Sequence, residues 1–278
     1  TPTPSSAASD VYKRQRFMII NNFLGGLGNQ LFQIAAGYAH SRRINSKFAI
    51  NYGLNHAGFG QGHHPVKYRH SVYNNIPTTD QNIQLVYNER EFKYTPIAPL
   101  DNICLYGYFQ SERYFEDYKD EVKNLFNFNF KTKKKIKKEL SGIKKKVGIH
   151  LRLGDYLNEE YNGVFHKINY PIYLEKAMSL FEKDYEFIIF SDDFKSLRKL
   201  VDLNKFINLN NSNEVEDMYS LSQCENIIMS NSSFSWWGSW LGKTKRKIIS
   251  PDCWFGPKIQ KDYEDRFNKN WIKISVKN

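Results

Sequence analysis

Four times between Val147 and Trp240, a short run of β-branched and aromatic residues passes through a polar or glycine-bearing turn into apolar residues at helical spacing. The strand readings are residues 147–151, 187–190, 206–209 and 227–229. The helices that follow them cover 170–181, with Pro171 in the first turn, then 194–200, 214–224 and a segment from about Ser233. Such β-α alternation pairs strands in parallel through right-handed crossovers, so this stretch folds as an open α/β sheet. A less regular version precedes it. Residues 17–20 read as a strand, followed by a glycine turn and a helix with Leu31, Ile34, Ala35 and Tyr38 on one face. Further strands are expected at 48–50, 83–87 and 103–108, and Ser111 opens a helix whose stripe is Tyr114, Phe115, Tyr118, Val122 and Leu125.

The 278 residues exceed the usual size of one core and suit two packed units, and 41% apolar residues suffice for both. Residues 1–16 are polar, aperiodic and charged at their end, and are read as a disordered or foreign extension. The expected division is an N-terminal α/β unit over 17–130, a lysine-rich linker or helix over 131–146, and a C-terminal α/β unit over 147–278. Of the net charge of +11, the segment 131–146 with nine lysines and one glutamate supplies +8, leaving about +3 for everything else. It lacks arginines or aromatics interleaved for base contacts, so it reads as a solvated face and not as a nucleic-acid footprint. Attachment to an anionic membrane surface is the other use of such a cluster.

Cys104, Cys224 and Cys253 are odd in number and widely spaced, which fits a reducing compartment. His56, His63, His64 and His70 share a glycine-rich region without cysteine or carboxylate companions at ligand spacing, so they read as loop residues. No apolar run reaches membrane-spanning length, and no secretory segment is evident. The expected location is the cytoplasm, with peripheral contact at the inner membrane face.

Three segments fall at the carboxyl ends of strand readings, where open parallel sheets bind ligands. His150 and Arg152, two apart on one strand, project from one face, followed by Gly154, Asp155 and Tyr156. A guanidinium grips phosphate oxygens with paired donors; its plainer alternative is a salt bridge to Asp155. Ser230, Asn231, Ser232, Ser233 and Phe234 precede a helix start, where unpaired N–H groups and the helix dipole favour an anion. The alternative is simple capping over buried Trp236, Trp237 and Trp240. Asp192 and Asp193 suit ribose hydroxyls or a base edge, or else cap the next helix. Near the N-terminus, Gly26 and Gly28 lack the third glycine of a dinucleotide fingerprint, and the loop carries no Gly-Lys-Ser/Thr of a P-loop, so both cofactor families lose support. What remains is a close-approach loop carrying Asn29 and Gln30.

These segments, Gly25 to Gln33, His150 to Tyr156 and Ser230 to Trp237, resemble in sequence and order the motifs of the α-1,2-fucosyltransferases of glycosyltransferase family 11. The resemblance implies a GT-B-like fold, two Rossmann-type doubly wound parallel sheets facing across a cleft. It also implies GDP-fucose as donor and inverting transfer to the 2-hydroxyl of a galactose-terminated glycan. Arg152 matches the arginine for the donor diphosphate, His150 its companion, and 230–234 the donor-binding serine motif. The donor set is therefore Gly26, Gly28, Gln30, His150, Arg152, Asp192, Asp193, Ser230, Asn231, Ser232, Ser233 and Phe234. The catalytic set is Arg152, Asp155 as first candidate for the base, and Asn29 as an orienter. No Asp-x-Asp occurs, so neither a metal nor another cofactor is expected, Arg152 and the helix start taking the metal's part. Three rivals stay open: a transferase for a different GDP-sugar or acceptor, a non-catalytic sugar-nucleotide binder, and a nucleic-acid binder acting through the lysine run.

Overall fold

A computed structural model of the chain describes residues 17–60, 62–242 and 247–276; the polar extension 1–16 lies outside them. The N-terminal half holds β1 (Met18–Asn22), α1 (Leu27–Arg43), β2 (Lys47–Phe48), β3 (Val86–Asn88) and β4 (Ile103–Tyr106). Its sheet runs in the order β2-β1-β4-β3, with every pair parallel. After α2 (Lys119–Leu125) and α3 (Phe130–Glu139), the second half adds β5 (Lys146–Leu151), α4 (Tyr170–Met178), β6 (Glu186–Ser191), α5 (Phe194–Leu197) and α6 (Glu214–Ser222). It ends with β7 (Asn226–Ile228), α7 (Ser233–Trp240), β8 (Ile248–Pro251) and β9 (Ile272–Ile274). This second sheet, β6-β5-β7-β8-β9, is also parallel throughout.

Both sheets reverse direction beside their first strand. The chain leaves β1 for β2 on one side and returns to β4 on the other; it leaves β5 for β6 and returns to β7. Each reversal opens a crevice at the strand carboxyl ends, between the loops after β1 and β4 and between those after β5 and β7.

Alternation in β5 decides what each face of the second sheet meets. Val147, Ile149 and Leu151 pack with Tyr173, Leu174 and Ala177 of α4. Gly148 lies on the opposite face, where a Cβ would stand 2.7 Å from Leu221 and 3.0 Å from the Cys224 sulfur, so its missing side chain admits α6. The largest apolar cluster does not stop at the boundary between halves. Phe32 of α1 sits 4.5 Å from Trp236 and 5.1 Å from Trp237 of α7, and Phe115 stacks on Trp237 at 5.6 Å. The helix that follows the serine cluster is thus packed on the N-terminal half, which fixes the two sheets relative to one another.

Several local expectations are corrected. Ser111 does not open a continuous helix: its hydroxyl caps a 3-10 turn, Glu112–Tyr114, a second follows at Glu116–Tyr118, and Phe115 between them leaves helical geometry at φ −139°. Tyr114 contacts Tyr94 and Phe109 while Phe115 turns to the tryptophans, and one regular helix face cannot serve both. Residues 206–209 form only an isolated bridge, Ile207 to Ile188. In the lysine run, α3 buries Thr132 and Ile136, and Lys135 is paired with Glu216 of α6.

Asp217 of α6 is unusual for a fold-supporting helix. Burial, reinforced by Glu214 and Glu216 and opposed by the Asn211 amide, pushes its pKa up to about 6. The folded chain therefore holds a proton there that the unfolded chain releases near pH 4, and stability from this group declines as pH rises from about 4 to 6. Asp217→Asn, which keeps an acceptor for Asn211, should stabilise the protein at pH 7.5 by about 3 kcal/mol and hardly at all at pH 4. Thermal melts of both proteins at the two pH values check this; an equal shift at both would show that charge burial is not the cause.

Candidate functional site

The two crevices face each other across one cavity of about 640 Å³. From the second half, β5 delivers Arg152 to its rim. One guanidinium nitrogen lies 2.7 Å from Asp155 and the other terminal nitrogen 2.8 Å from Asp192, which sits just beyond the end of β6. Burial disfavours the cation, but the two carboxylates outweigh it and raise the Arg152 pKa. Asp192 moves upward instead, because burial of its carboxyl exceeds the help of Arg152 and of the Leu153 N–H at 2.9 Å. Arg152, Asp155 and Asp192 all line the cavity. Both readings of Arg152 hold in part: it makes the salt bridge to Asp155 and still opens onto the cavity.

His150 takes a different place. Its ring is buried, stacks on Phe234 at 4.8 Å, and its Nδ1 lies 2.6 Å from the Ser235 hydroxyl and 3.3 Å from that of Ser230. Burial, and then the charge of Arg152, lower its pKa to about 3, so the ring is neutral at ordinary pH. It ties β5 to the start of α7 from beneath and does not line the cavity. Ser230 belongs to the same buried triangle, 3.2 Å from Ser235. The Asn231 amide nitrogen donates to the carbonyls of His166 and Trp254 at 3.0 and 2.8 Å, and the residue does not line the cavity. Of the serine motif, Ser232, Ser233 and Phe234 reach the cavity: Ser232 caps α7 by accepting from the Phe234 N–H at 3.2 Å, and Ser233 donates its hydroxyl to Asn29 at 2.6 Å. Asp193 is the cap of α5, bound to the N–H and hydroxyl of Ser196, and lies off the cavity.

The glycine loop supplies the facing wall. Gly25 adopts φ +67°, which a side chain would strain. Gly26 lines the cavity, and the backbone of Gly62 passes directly over it. Gly28 also lines it, but its physical reason is helix packing: a Cβ would stand 2.6 Å from the Phe234 nitrogen and 2.7 Å from the Ser233 carbonyl carbon. Gln30 does not line the cavity. Its amide donates to Gly25 and His63 and its oxygen accepts from Tyr73, so it is buried as a brace for the loops. Asn29 remains at the cavity, its Oδ1 accepting from Gln110 as well as Ser233, both at 2.6 Å.

The sequence reading missed much of the lining. Tyr156, within a motif already singled out, stacks on Phe165 at 3.9 Å; Phe165 lies 5.9 Å from Phe255, which stacks on Phe92 at 5.4 Å. This row of rings runs from Arg152 to Arg266, and neither Phe92 nor Arg266 carries a local signature. Tyr108 and Gln110 follow β4, and the rule that ligands gather at strand carboxyl ends would have found them. His63 lines the cavity 3.7 Å from Glu214, whereas His56 is buried, bonded to Phe23 and Asn51, with burial lowering its pKa to about 4. Among the described residues no three His, Cys, Asp or Glu side chains group to hold a metal ion.

Known proteins share this architecture. A NodZ α-1,6-fucosyltransferase soaked with GDP-fucose superimposes with a TM-score of 0.50 at 14% identity, covering 84% of this chain and 95% of that one. A selenomethionine crystal form of NodZ from Bradyrhizobium gives 0.52 at 12% identity, over 86% and 96%. Together with the two parallel sheets facing one cavity, these establish a GT-B-like fold. In sequence, an α-1,2-colitosyltransferase of Escherichia coli is 29% identical over 92% of this chain and 99% of its own length. The O-antigen biosynthesis glycosyltransferase WbnK of the same species is 26% identical over 83% and 93%. A bovine galactoside α-(1,2)-fucosyltransferase 1 is 26% identical over 62% of this chain and 53% of its own. The model of glycosyl transferase family 11 matches residues 27–275, nearly the whole of the described chain, and the protein belongs to that family.

Proposed function

We propose that the protein transfers L-fucose from GDP-fucose to the 2-hydroxyl of a terminal galactose, with inversion and without a metal. The observation that carries this reading is the convergence of a doubly held arginine and a capped helix start on one cavity, with Asn29 hydrogen-bonded to that helix start through Ser233. Transfer requires charge stabilisation at the departing diphosphate and removal of a proton from the attacking hydroxyl. Arg152 and the α7 tip with Ser232 and Ser233 meet the first need. For the second, Asp155 is assigned the base. A diphosphate drawing Arg152 toward itself releases Asp155, while Asp192 keeps the guanidinium on the wall. The acceptor proton passes to Asp155, the acceptor oxygen bonds to the anomeric carbon, and the bond from that carbon to the phosphate oxygen breaks with its electron pair on GDP.

The similarity to an α-1,2-colitosyltransferase over 99% of that protein supports a second reading, in which the donor is GDP-colitose, the 3-deoxy analogue of GDP-fucose. The test is incubation with GDP-fucose and lactose, with and without EDTA, GDP-colitose serving as parallel donor, followed by mass and linkage analysis. The expected product is lactose plus one deoxyhexose in α-1,2 linkage, at equal rate in EDTA. Loss of rate in EDTA would overturn the metal-free mechanism, transfer from GDP-colitose alone would replace the donor, and GDP binding without turnover would leave a sugar-nucleotide binder.

A peripheral membrane contact fits α3. Lys131, Lys134, Lys137 and Lys138 are exposed beside Phe130, which is 79% exposed, and no described helix is long and apolar enough to cross a membrane. Sedimentation with anionic vesicles, absent with neutral ones, is the outcome expected; equal recovery with both would remove that contact.

A further inference from the structure

Arg266 belongs to none of the motifs that the family resemblance rests on, yet it is the most enclosed cation of the cavity. It is 2% exposed, with its guanidinium carbon 5.0 Å from the Phe92 ring centre and 4.8 Å from that of Phe255. Burial pushes its pKa down to about 10, which still leaves it charged at neutral pH. Among the described residues no carboxylate lies within ion-pair distance of it, the partly buried Glu89 supporting its charge from farther off, and its Nη1 has no hydrogen-bond partner. Burying a cation on these terms is a poor way to stabilise a fold. Its side-chain hydrogen bond to Gln110 is directional: Nε donates to Oε1 at 2.8 Å.

The direction of that bond propagates. A guanidinium has donors and no acceptor, so the Gln110 atom facing it has to be the oxygen. The Gln110 amide nitrogen then faces Asn29 and donates to Oδ1 at 2.6 Å, and the Ser233 hydroxyl donates to the same oxygen at 2.6 Å. With Oδ1 taken twice, the Nδ2 of Asn29 is turned the other way, over Gly25, where a side chain would overlap it. Both Gly25 and Asn29 line the cavity.

We infer that Arg266 is a positioning residue for the transfer reaction: acting through Gln110, it fixes the Asn29 amide so that an N–H donor, not a carbonyl, faces the leaving diphosphate oxygen. This inference rests on the proposed transfer and adds a specific polarity to it. Reversing the relay would point an acceptor at developing negative charge, which repels where the native arrangement attracts.

Gln110→Glu isolates the effect. The carboxylate still accepts from Arg266 and gives the buried cation a counter-ion, so the melting temperature should hold or rise. It cannot donate to Asn29, so the Asn29 amide turns over, and kcat should fall about a hundredfold with the acceptor KM little changed. Arg266→Met, which fills the same slot between Phe92 and Phe255 without an orienting donor, should lower kcat about tenfold with GDP affinity unchanged. A readout independent of turnover is the Asn29 side-chain NH2 resonance in nitrogen-15-labelled protein. It should shift on addition of GDP in the native chain, and that shift should vanish in Gln110→Glu. Native kcat in both variants, or a GDP-induced Asn29 shift that survives Gln110→Glu, would overturn the relay. A native chain that moves no sugar but shows the expected Asn29 response would defeat the transfer reading and leave the relay standing.

Discussion

Arg152→Lys is expected to leave the fold intact and to lower kcat/KM for transfer by about a thousandfold. The guanidinium spans two carboxylates at 2.7 and 2.8 Å, Asp155 in its own loop and Asp192 beyond β6, and keeps further N–H groups for the phosphates. An ammonium at the end of a flexible stem retains the charge but is a point donor, and cannot stay on Asp192 while gripping a diphosphate with paired bonds. The backbone around it is held independently, since the Tyr170 hydroxyl donates to the Arg152 carbonyl at 2.8 Å. Stability should therefore change little, and a thermal melt beside the transfer assay separates the two effects. Near-native turnover in this variant would remove Arg152 from the reaction.

Gly28→Ala should be damaging in another way. The added methyl would meet backbone at 2.6 and 2.7 Å, the Phe234 nitrogen and the Ser233 carbonyl carbon, neither of which can rotate aside. Helices α1 and α7 have to part, through a contact that also buries Phe32 against Trp236 and Trp237. A loss of about 3 kcal/mol in stability is expected from such overpacking. Because α7 carries Ser232 and Ser233 to the cavity, the displacement should also reduce transfer about a hundredfold in the fraction that folds. Gly26→Ala is the control for stability: its Cβ would meet only the Gly62 Cα, at 3.6 Å, an ordinary contact. Similar melting temperatures for the two variants would contradict this account of Gly28.

The contrast between these two glycines shows what could be read from the sequence. Periodicity placed β5, β6, β7 and the helix at residue 233, because those are consequences of neighbours one to four positions apart; it missed β8 and β9, short strands whose only sheet signal is pairing with β7 and with each other. Strand-end logic then gathered Arg152, Asp192 and the serine motif at one edge. It could not divide the motif, since Ser230 and Ser235 face His150 and Ser233 faces Asn29 for reasons set by the packing of α7 on the other half. Nor could it explain Gly28, whose neighbour is more than 200 residues away, or foresee Arg266, which meets Gln110 across 156 residues. The helix expected from Ser111 formed only over Lys119–Leu125 for the same reason: Tyr114, Phe115, Val122 and Leu125 are buried, but Tyr114 and Phe115 answer to different partners.

The central claim is that Arg152 and the tip of α7 hold one diphosphate between them. A crystal structure of the protein with GDP tests it most directly. The account predicts the β-phosphate within hydrogen-bond reach of the Arg152 guanidinium on one side and of the N–H groups or hydroxyls of Ser232 to Phe234 on the other, with Asn29 Nδ2 turned toward it. Diphosphate density away from either element, with Arg152 still closed on both Asp155 and Asp192, would contradict it.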